Sequence, residues 1–287
     1  MSQKIYELNC ILPQNALIYF EEVLQETASA TLDCLIETGH NKGKRTFQAI
    51  FEQMPDREYL TRLMENASRM AGISLPEWTF NEMPNKNWLK ESYLGFPPVV
   101  IGRYYIYGSH IQTPPPADKV ALCIDAATAF GTGEHQTTHG CLNALDELDI
   151  VPDRVLDVGC GSGILAMAYA KTYHKPVDAV DIDEESVRVA IENAKRNGLK
   201  ELVHVEKSNG YQKVHGTYDL IMCNILARPL REMAVDLVAH LNPNGRAILS
   251  GFLTRQKRWV LKAHTDLGLT QVAEYRIKGW STLVLKR

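Results

Sequence analysis

The hydrophobic and polar positions change period several times along the chain, and those changes divide it. In "KIYELNCIL", Tyr6, Leu8, Cys10 and Leu12 alternate with their neighbours, a strand pattern. Between Gln14 and Thr27 the apolar residues Leu17, Phe20, Val23 and Leu24 recur at helical spacing. "TLDCLIE" and "TFQAIFE" predict strands on either side of the turn-rich "TGHNKGKR". Leu60, Leu63, Met64, Ala67 and Ala71 predict a second helix, and "EWTFNEM" a short strand. The order strand–helix–strand–strand–helix–strand predicts a small α+β domain of the ferredoxin-like type over residues 1–83.

Residues 84–117 lack a long periodic stretch. "PNKNWLKESY", "GFPPVVIGRYYIYGS" and "TPPPA" are rich in proline and aromatic residues, which predicts a connector that packs, stiffened where Pro114, Pro115 and Pro116 follow one another. Alternate side chains of a strand account for "RYYIY" better than an RNA platform does. From residue 118 to 287 strands and helices alternate. "RVLDVG" leads to a helix from Ile164, and "VDAVDID" to a helix with Val187, Ala190, Ile191 and Ala194 on one face. "LVHVEK" and "YDLIMCN" follow, then a helix over Arg231–Leu241, the strand "GRAILSGF" and another helix. "LTQVAEYRIKGWSTLVLK" reads as two strands broken at Lys278–Gly279. The pattern predicts an α/β fold, a doubly wound, seven-stranded Rossmann-like sheet.

In such a sheet ligands bind at the carboxyl ends of the strands, and there "RVLDVGCGSGILA" places Gly159, Gly161 and Gly163. A dinucleotide fingerprint needs its third glycine at position 164, which is Ile164, so a nicotinamide dehydrogenase is disfavoured. The loop also follows an acid, Asp157, which suits an ammonium-bearing ligand better than a pyrophosphate. A second acid, Asp181, ends the next strand and can accept both hydroxyls of a ribose. Asp183 is placed to cap the following helix, with Glu184 and Glu185 in its first turn. A glycine loop with a ribose acid and no pyrophosphate site points to S-adenosyl-L-methionine.

Composition narrows the class further. The 287 residues are 45% hydrophobic and 23% charged, as in globular proteins, and no apolar run is long enough to span a membrane. "MSQKIYELNC" lacks the layout of a signal peptide. The 6 cysteines show no C-x-x-C spacing, which indicates neither a zinc site nor a disulfide framework and predicts a cytoplasmic protein. The net charge of −3 argues against non-specific coating of nucleic acid. Residues 1–85 hold 7 Lys/Arg against 12 Asp/Glu, a balance that suits a basic partner and equally an ordinary solvated surface.

Four stretches taken together carry a family resemblance: "DAATAFGTGEHQTTHGCLNAL", "VLDVGCGSGILA", "VDIDEESVRVAIENAKRNG" and "CNILARPLREMA". They closely resemble the bacterial ribosomal protein L11 methyltransferase family (PrmA), most strongly over about residues 120–251 and at "NWLKESY". The resemblance implies a cytoplasmic, S-adenosylmethionine-dependent methyltransferase acting on lysine side-chain and N-terminal amines of that ribosomal protein. It also implies a substrate-recognising front domain and a connector that lets it move. By motif it carries cofactor binding to Thr138, Gly159, Asp181 and Asn224; Gly161 of the same loop joins them as a cofactor-binding residue on the glycine-loop reading, and Asn224 is also the candidate catalytic residue. The chain departs from the family at Ala127 and at Tyr93.

Methyl transfer needs a neutral amine, and deprotonating a free lysine at pH 7 costs about 4–5 kcal/mol. A partly apolar cavity lowers that cost, and Phe130 is a candidate wall. Asn224, at a strand end, can accept a hydrogen bond from the amine. His135 and Glu134 are alternative proton acceptors, although a histidine at a helix start is more often structural and an exposed loop carboxylate more often solvated. Cys160 and Cys223 flank the site as small hydrophobes. A methyltransferase for another protein lysine or a small amine, and a non-catalytic ribosome-assembly adapter, are the alternative readings.

Overall fold

The computed structural model describes residues 5–24, 27–28, 30–36, 40–51, 53–83, 97–125 and 135–287. By contacts the chain divides into two compact units, Met1–Trp88 and Leu89–Arg287.

In the first unit, β1 (Ile5–Pro13), α1 (Leu17–Leu24), β2 (Ala30–Leu35), β3 (Lys44–Phe51), α2 (Arg57–Ala71) and β4 (Trp78–Met83) follow in the predicted order. The sheet order is β2-β3-β1-β4 with every pair antiparallel, the ferredoxin-like arrangement. Leu8, Cys10 and Leu12 of β1 and Phe47, Ala49 and Phe51 of β3 turn one face towards Phe20 and Leu24 of α1 and Leu60 and Met64 of α2. Period-2 strands against period-3.6 helices thus close one core. Asp56 caps α2, accepting the Tyr59 N–H at 2.7 Å, and Gly72 ends it in the left-handed conformation.

In the second unit, part of the stretch read from sequence as connector is a small sheet. β5 (Val99–Ile101) pairs antiparallel with β6 (Tyr104–Tyr107), which runs parallel to β7 (Val120–Cys123). The reason is alternation: Tyr104 and Ile106 are buried in the same core as Leu122, while Tyr105 and Tyr107 turn outward and touch each other. Trp88 and Tyr93 lie outside the described residues.

The larger sheet has the order β10-β9-β8-β11-β12-β14-β13. Its strands are β8 (Val155–Val158), β9 (Val177–Asp181), β10 (Val203–Lys207), β11 (Tyr218–Asn224), β12 (Leu241–Leu253), β13 (Thr270–Ile277) and β14 (Trp280–Lys286). The pairs from β10 through β12 are parallel, and β14 is antiparallel to both its neighbours. The order reverses direction between β8 and β11, so a crevice opens at their carboxyl ends. One core layer packs α3 (Gln136–Asp146), α4 (Ile164–Tyr173) and α5 (Glu184–Arg196) on one face of the sheet. The opposite layer packs α6 (Ala227–Glu232), α7 (Ala234–His240) and α8 (Lys257–Thr265).

One expectation is corrected. The helix read over Arg231–Leu241 is two helices, α6 and α7, which meet at Met233, where φ −91° and ψ 8° place the backbone in the bridge region. Leu230 of the first and Leu237 of the second both reach the core, so the break lets two short axes follow a twisted sheet. The closing hairpin turns at Lys278 (φ 46°) and Gly279 (φ 87°), a two-residue loop with both positions left-handed.

Asp183 caps α5, its carboxylate accepting the N–H groups of Glu185 and Ser186 at 3.3 and 2.9 Å. Asp183→Ala is expected to lower the unfolding free energy by about 1 kcal/mol. Chemical denaturation checks this, and an unchanged midpoint would show that the cap contributes nothing.

Candidate cofactor and amine site

The turn from β8 into α4 is built from three left-handed glycines, Gly159, Gly161 and Gly163. Two of them also lack room for a side chain: a Cβ on Gly159 would lie 2.3 Å from Ile225 Cγ2, and one on Gly163 would lie 3.1 Å from Ala190 Cβ. The turn is fixed from the neighbouring strand, because the N–H groups of Gly159 and Cys160 both donate to the Val180 carbonyl, at 2.8 and 3.1 Å.

Two acids hold the loop from below and from the side. Asp157 is 1% exposed, and its Oδ2 accepts the Ala166 N–H at 3.1 Å, one of the free donors in the first turn of α4. Its Oδ1 is buried with no hydrogen-bond partner. Burial pushes the Asp157 carboxyl up to about 7, opposed by the Ala166 N–H and reinforced by the neighbouring Asp181. Asp181 ends β9 and accepts the Gly161 N–H on Oδ2 at 2.8 Å and the Asp183 N–H on Oδ1 at 3.0 Å. Each oxygen retains a lone pair for a further donor. Ile182, next in sequence, is 62% exposed, an aliphatic surface left bare beside the carboxylate.

Asn224 ends β11 on the other side of β8 and stands opposite Ser250 in the register with β12. Its Oδ1 is buried with no hydrogen-bond partner among the described residues, and the same holds for Oγ1 of Thr138 in the first turn of α3. Residues 157, 181 and 224 have the parity of Val155, Ala179 and Met222, all of which face the layer of α3, α4 and α5. The strand ends therefore bring Asp157, Asp181 and Asn224 to one face and one end of the sheet, under the helix that carries Thr138.

His135 is the N-cap of α3. Its Nδ1 lies 2.7 Å from Thr137 Oγ1 and 3.3 Å from the Thr137 N–H, and its ring meets Trp280 edge to face at 4.7 Å. Burial, and then His139, hold it down to about 4, so it is neutral at pH 7. Burial pushes the Cys160 thiol well up and the Cys223 thiol to about 12, which leaves both unreactive. Phe130, Glu134 and Ala127 lie outside the described residues.

A family model described as ribosomal protein L11 methyltransferase (PrmA) matches residues 14–287. The chain belongs to this family. Among the curated L11 methyltransferases, that of Bradyrhizobium diazoefficiens is 41% identical over 244 residues, covering 83% of this chain and 82% of that protein. That of Rhodopseudomonas palustris is 40% identical over 243 residues, covering the same shares, 83% and 82%. The crystal structure of an L11 methylase from Lactobacillus delbrueckii subsp. bulgaricus superposes with a TM-score of 0.62 at 31% identity, covering 67% of this chain and 98% of that one.

Sequence reasoning about this chain missed residues that brace the site. Asn193 of α5 is fully buried, and its Nδ2 donates to the carbonyls of Ser162 in the loop and Asp125 after β7, at 3.0 and 3.1 Å. One turn on, Asn197 exchanges two hydrogen bonds with the backbone of Cys123, at 2.9 and 2.8 Å. The i, i+4 asparagine pair in "ENAKRN" was the available signal, since a buried amide and a half-buried one on the same side of a helix end need backbone partners.

The raised carboxyl of Asp157 has a consequence for stability. Between about pH 4 and pH 7 the folded chain binds a proton there that the unfolded chain has lost, so stability falls as pH rises through the folded value. Asp157→Asn removes that dependence and keeps an acceptor for the Ala166 N–H. The unfolding free energy of the variant relative to wild type should therefore rise from pH 5 to pH 8, by up to about 3 kcal/mol. Denaturant titrations at the two pH values test it, and a difference that does not change with pH would refute it.

Proposed function

We propose that this chain transfers methyl groups from S-adenosyl-L-methionine to lysine side-chain and N-terminal amines of ribosomal protein L11, in the cytoplasm. Residues 1–83 act as the substrate-recognition domain, 84–117 as the connector and 118–287 as the catalytic domain. The observation that carries the reading is the convergence, at one end of one sheet, of a glycine-rich loop, a carboxylate with spare lone pairs and three buried polar atoms with no partner among the described residues. Polar atoms buried in this way are costly unless something fills the space beside them.

These residues fit S-adenosylmethionine. Asp181 would take the ribose hydroxyls, and Ile182 would lie against the base. Gly159 and Gly161 would admit the backbone side of the ligand, and Thr138 would supply a hydroxyl. Asp157 would offer the acidic surroundings that suit the methionine ammonium. Two carboxylates beside the loop disfavour a pyrophosphate. When bound, the cofactor supplies a methyl group already activated by a sulfonium, so positioning contributes more than proton transfer.

The protein's chemical task is to hold a neutral amine. Asn224 Oδ1 is an acceptor without a proton to give, so it can hold an N–H of the amine while the nitrogen lone pair points elsewhere. An ammonium has no lone pair, so the amine must be deprotonated before transfer, which an apolar wall beside Asn224 would favour. His135 is read as serving the helix rather than the amine, since its Nδ1 accepts the Thr137 N–H and burial makes its ring a weak base. No helix among the described residues is long and apolar enough to cross a membrane.

Intact-mass analysis of L11 incubated with this chain and S-adenosylmethionine tests the reading, with fragmentation locating the amines. Methyl increments are expected on lysine and on the N-terminal amine. Asn224→Ala should lower turnover by about 10²-fold while leaving cofactor affinity within a few-fold. Asp181→Ala should weaken cofactor binding by about 10–100-fold, the scale of lost charge-assisted hydrogen bonds. Cofactor binding without methylation of L11 would move the search to another amine substrate or to the adapter role. Equal loss of turnover and affinity in Asn224→Ala would make it a binding residue only.

A further inference from the structure

The strand end that carries Asn224 and the helix turn that carries Thr138 are joined through one buried hydroxyl. Ser250 pairs with Asn224 in the β11–β12 register, and its carbonyl accepts the Ile225 N–H at 3.1 Å. Its Oγ lies 3.4 Å from the carbonyl oxygen of Thr137, the residue before Thr138. The same Oγ lies 2.6 Å from Thr282 Oγ1 and 3.3 Å from the Ser281 carbonyl oxygen, both in β14. Ser250, Thr282 and Thr137 are all buried.

The local backbone is shaped for this contact. The β12–β14 pairing shifts register between Leu249 and Phe252, so Ser250 and Gly251 form a bulge. Gly251 has φ 93°, and a Cβ there would lie 2.1 Å from the Ile225 carbonyl oxygen, so this strand passes closely over the residue after Asn224. On the helix side, Gly140 makes room for the threonine, since a Cβ there would lie 2.2 Å from Thr282 Oγ1. A serine hydroxyl has one proton, whereas three oxygens lie within reach. If Thr282 donates to Ser250, the Ser250 proton is left for a carbonyl. Apolar residues of the same size would pack this layer without the desolvation cost, so what the hydroxyls add is fixed geometry.

We propose that the Ser250–Thr282 hydroxyl pair is a positioning device that sets the spacing between Thr138 and Asn224. It rests on the reading of those two residues as parts of the cofactor and amine site. Neither hydroxyl touches substrate; the pair acts through the backbone of Thr137 on one side and of Ile225 on the other.

The test compares the full-length wild type with Thr282→Val, Thr282→Ser and Ser250→Ala. Valine keeps the threonine's shape and removes the hydroxyl, whereas serine keeps the hydroxyl and removes a methyl group. The readouts are turnover on L11, KM for L11 and cofactor affinity by calorimetry. Thr282→Val and Ser250→Ala should lose about tenfold or more in kcat, with KM for L11 within about twofold. Thr282→Ser should turn over like wild type even where its melting temperature falls. The reverse pattern, an active Thr282→Val and an impaired Thr282→Ser, would make the pair packing only and overturn the proposal. Should Thr282→Val fail to fold, Ser250→Ala must show the same split, and wild-type turnover there overturns the proposal equally. Asp181→Ala and Asn224→Ala are run alongside. If they methylate normally the functional reading falls and the positioning role with it. If they fail while Thr282→Val and Ser250→Ala work, the positioning role alone falls.

Discussion

The carboxylate of Asp181 constrains the rest of the site, because it fixes the glycine turn and its own strand exit together. One oxygen takes the Gly161 N–H and the other takes the Asp183 N–H. A charged acceptor on a backbone N–H contributes about 1.5–3 kcal/mol, enough to hold a loop whose left-handed glycines would otherwise sample many states. Once that loop is held, the start of α4 follows, and with it the Ala166 N–H that Asp157 accepts. The Asp183 cap then launches α5, which returns Asn193 to the loop through the Ser162 carbonyl. The circuit closes on itself, so a ligand that uses the spare lone pairs of Asp181 meets a surface already in place.

The acids in this circuit do opposite things because their surroundings differ. Asp157 is enclosed and has one unpartnered oxygen, so its charge is disfavoured. Asp181 accepts a backbone N–H on each of its two oxygens. Two carboxylates at neighbouring strand ends are therefore not equivalent, although the sequence presents them alike. A cation brought beside Asp157 would favour its ionised form.

What was legible in the sequence follows from which interactions are local. Short apolar runs in "RVLDVG", "VDAVDID" and "YDLIMCN" located β8, β9 and β11, and glycines at every second position located the turn. Asp183 was readable as a cap because the cap and its helix are adjacent. The break at Met233 was not, since helical periodicity continues through it and only the curvature of the sheet beneath makes two axes better than one. The alternation in "RYYIY" made β6 readable as a strand, but its pairing with the short β5 beside two prolines was not. The bracing residues were hidden for another reason. Ser250 meets Thr137 across 113 positions and Thr282 across 32, and no pattern of period 2 or 3.6 encodes a contact of that kind.

Gly251 bears on how such a site can be remodelled. With φ at 93° and the Ile225 carbonyl in the place of a Cβ, this position admits no side chain without moving the strand that ends in Asn224. A library that randomises residues around the amine site proposed above therefore has a fixed wall along β12. Leu226, exposed just beyond Asn224 and Ile225, is the neighbouring position where size and polarity can change without disturbing the backbone crossing. Change in substrate range, by selection or by design, has its easiest path on that side of the strand end.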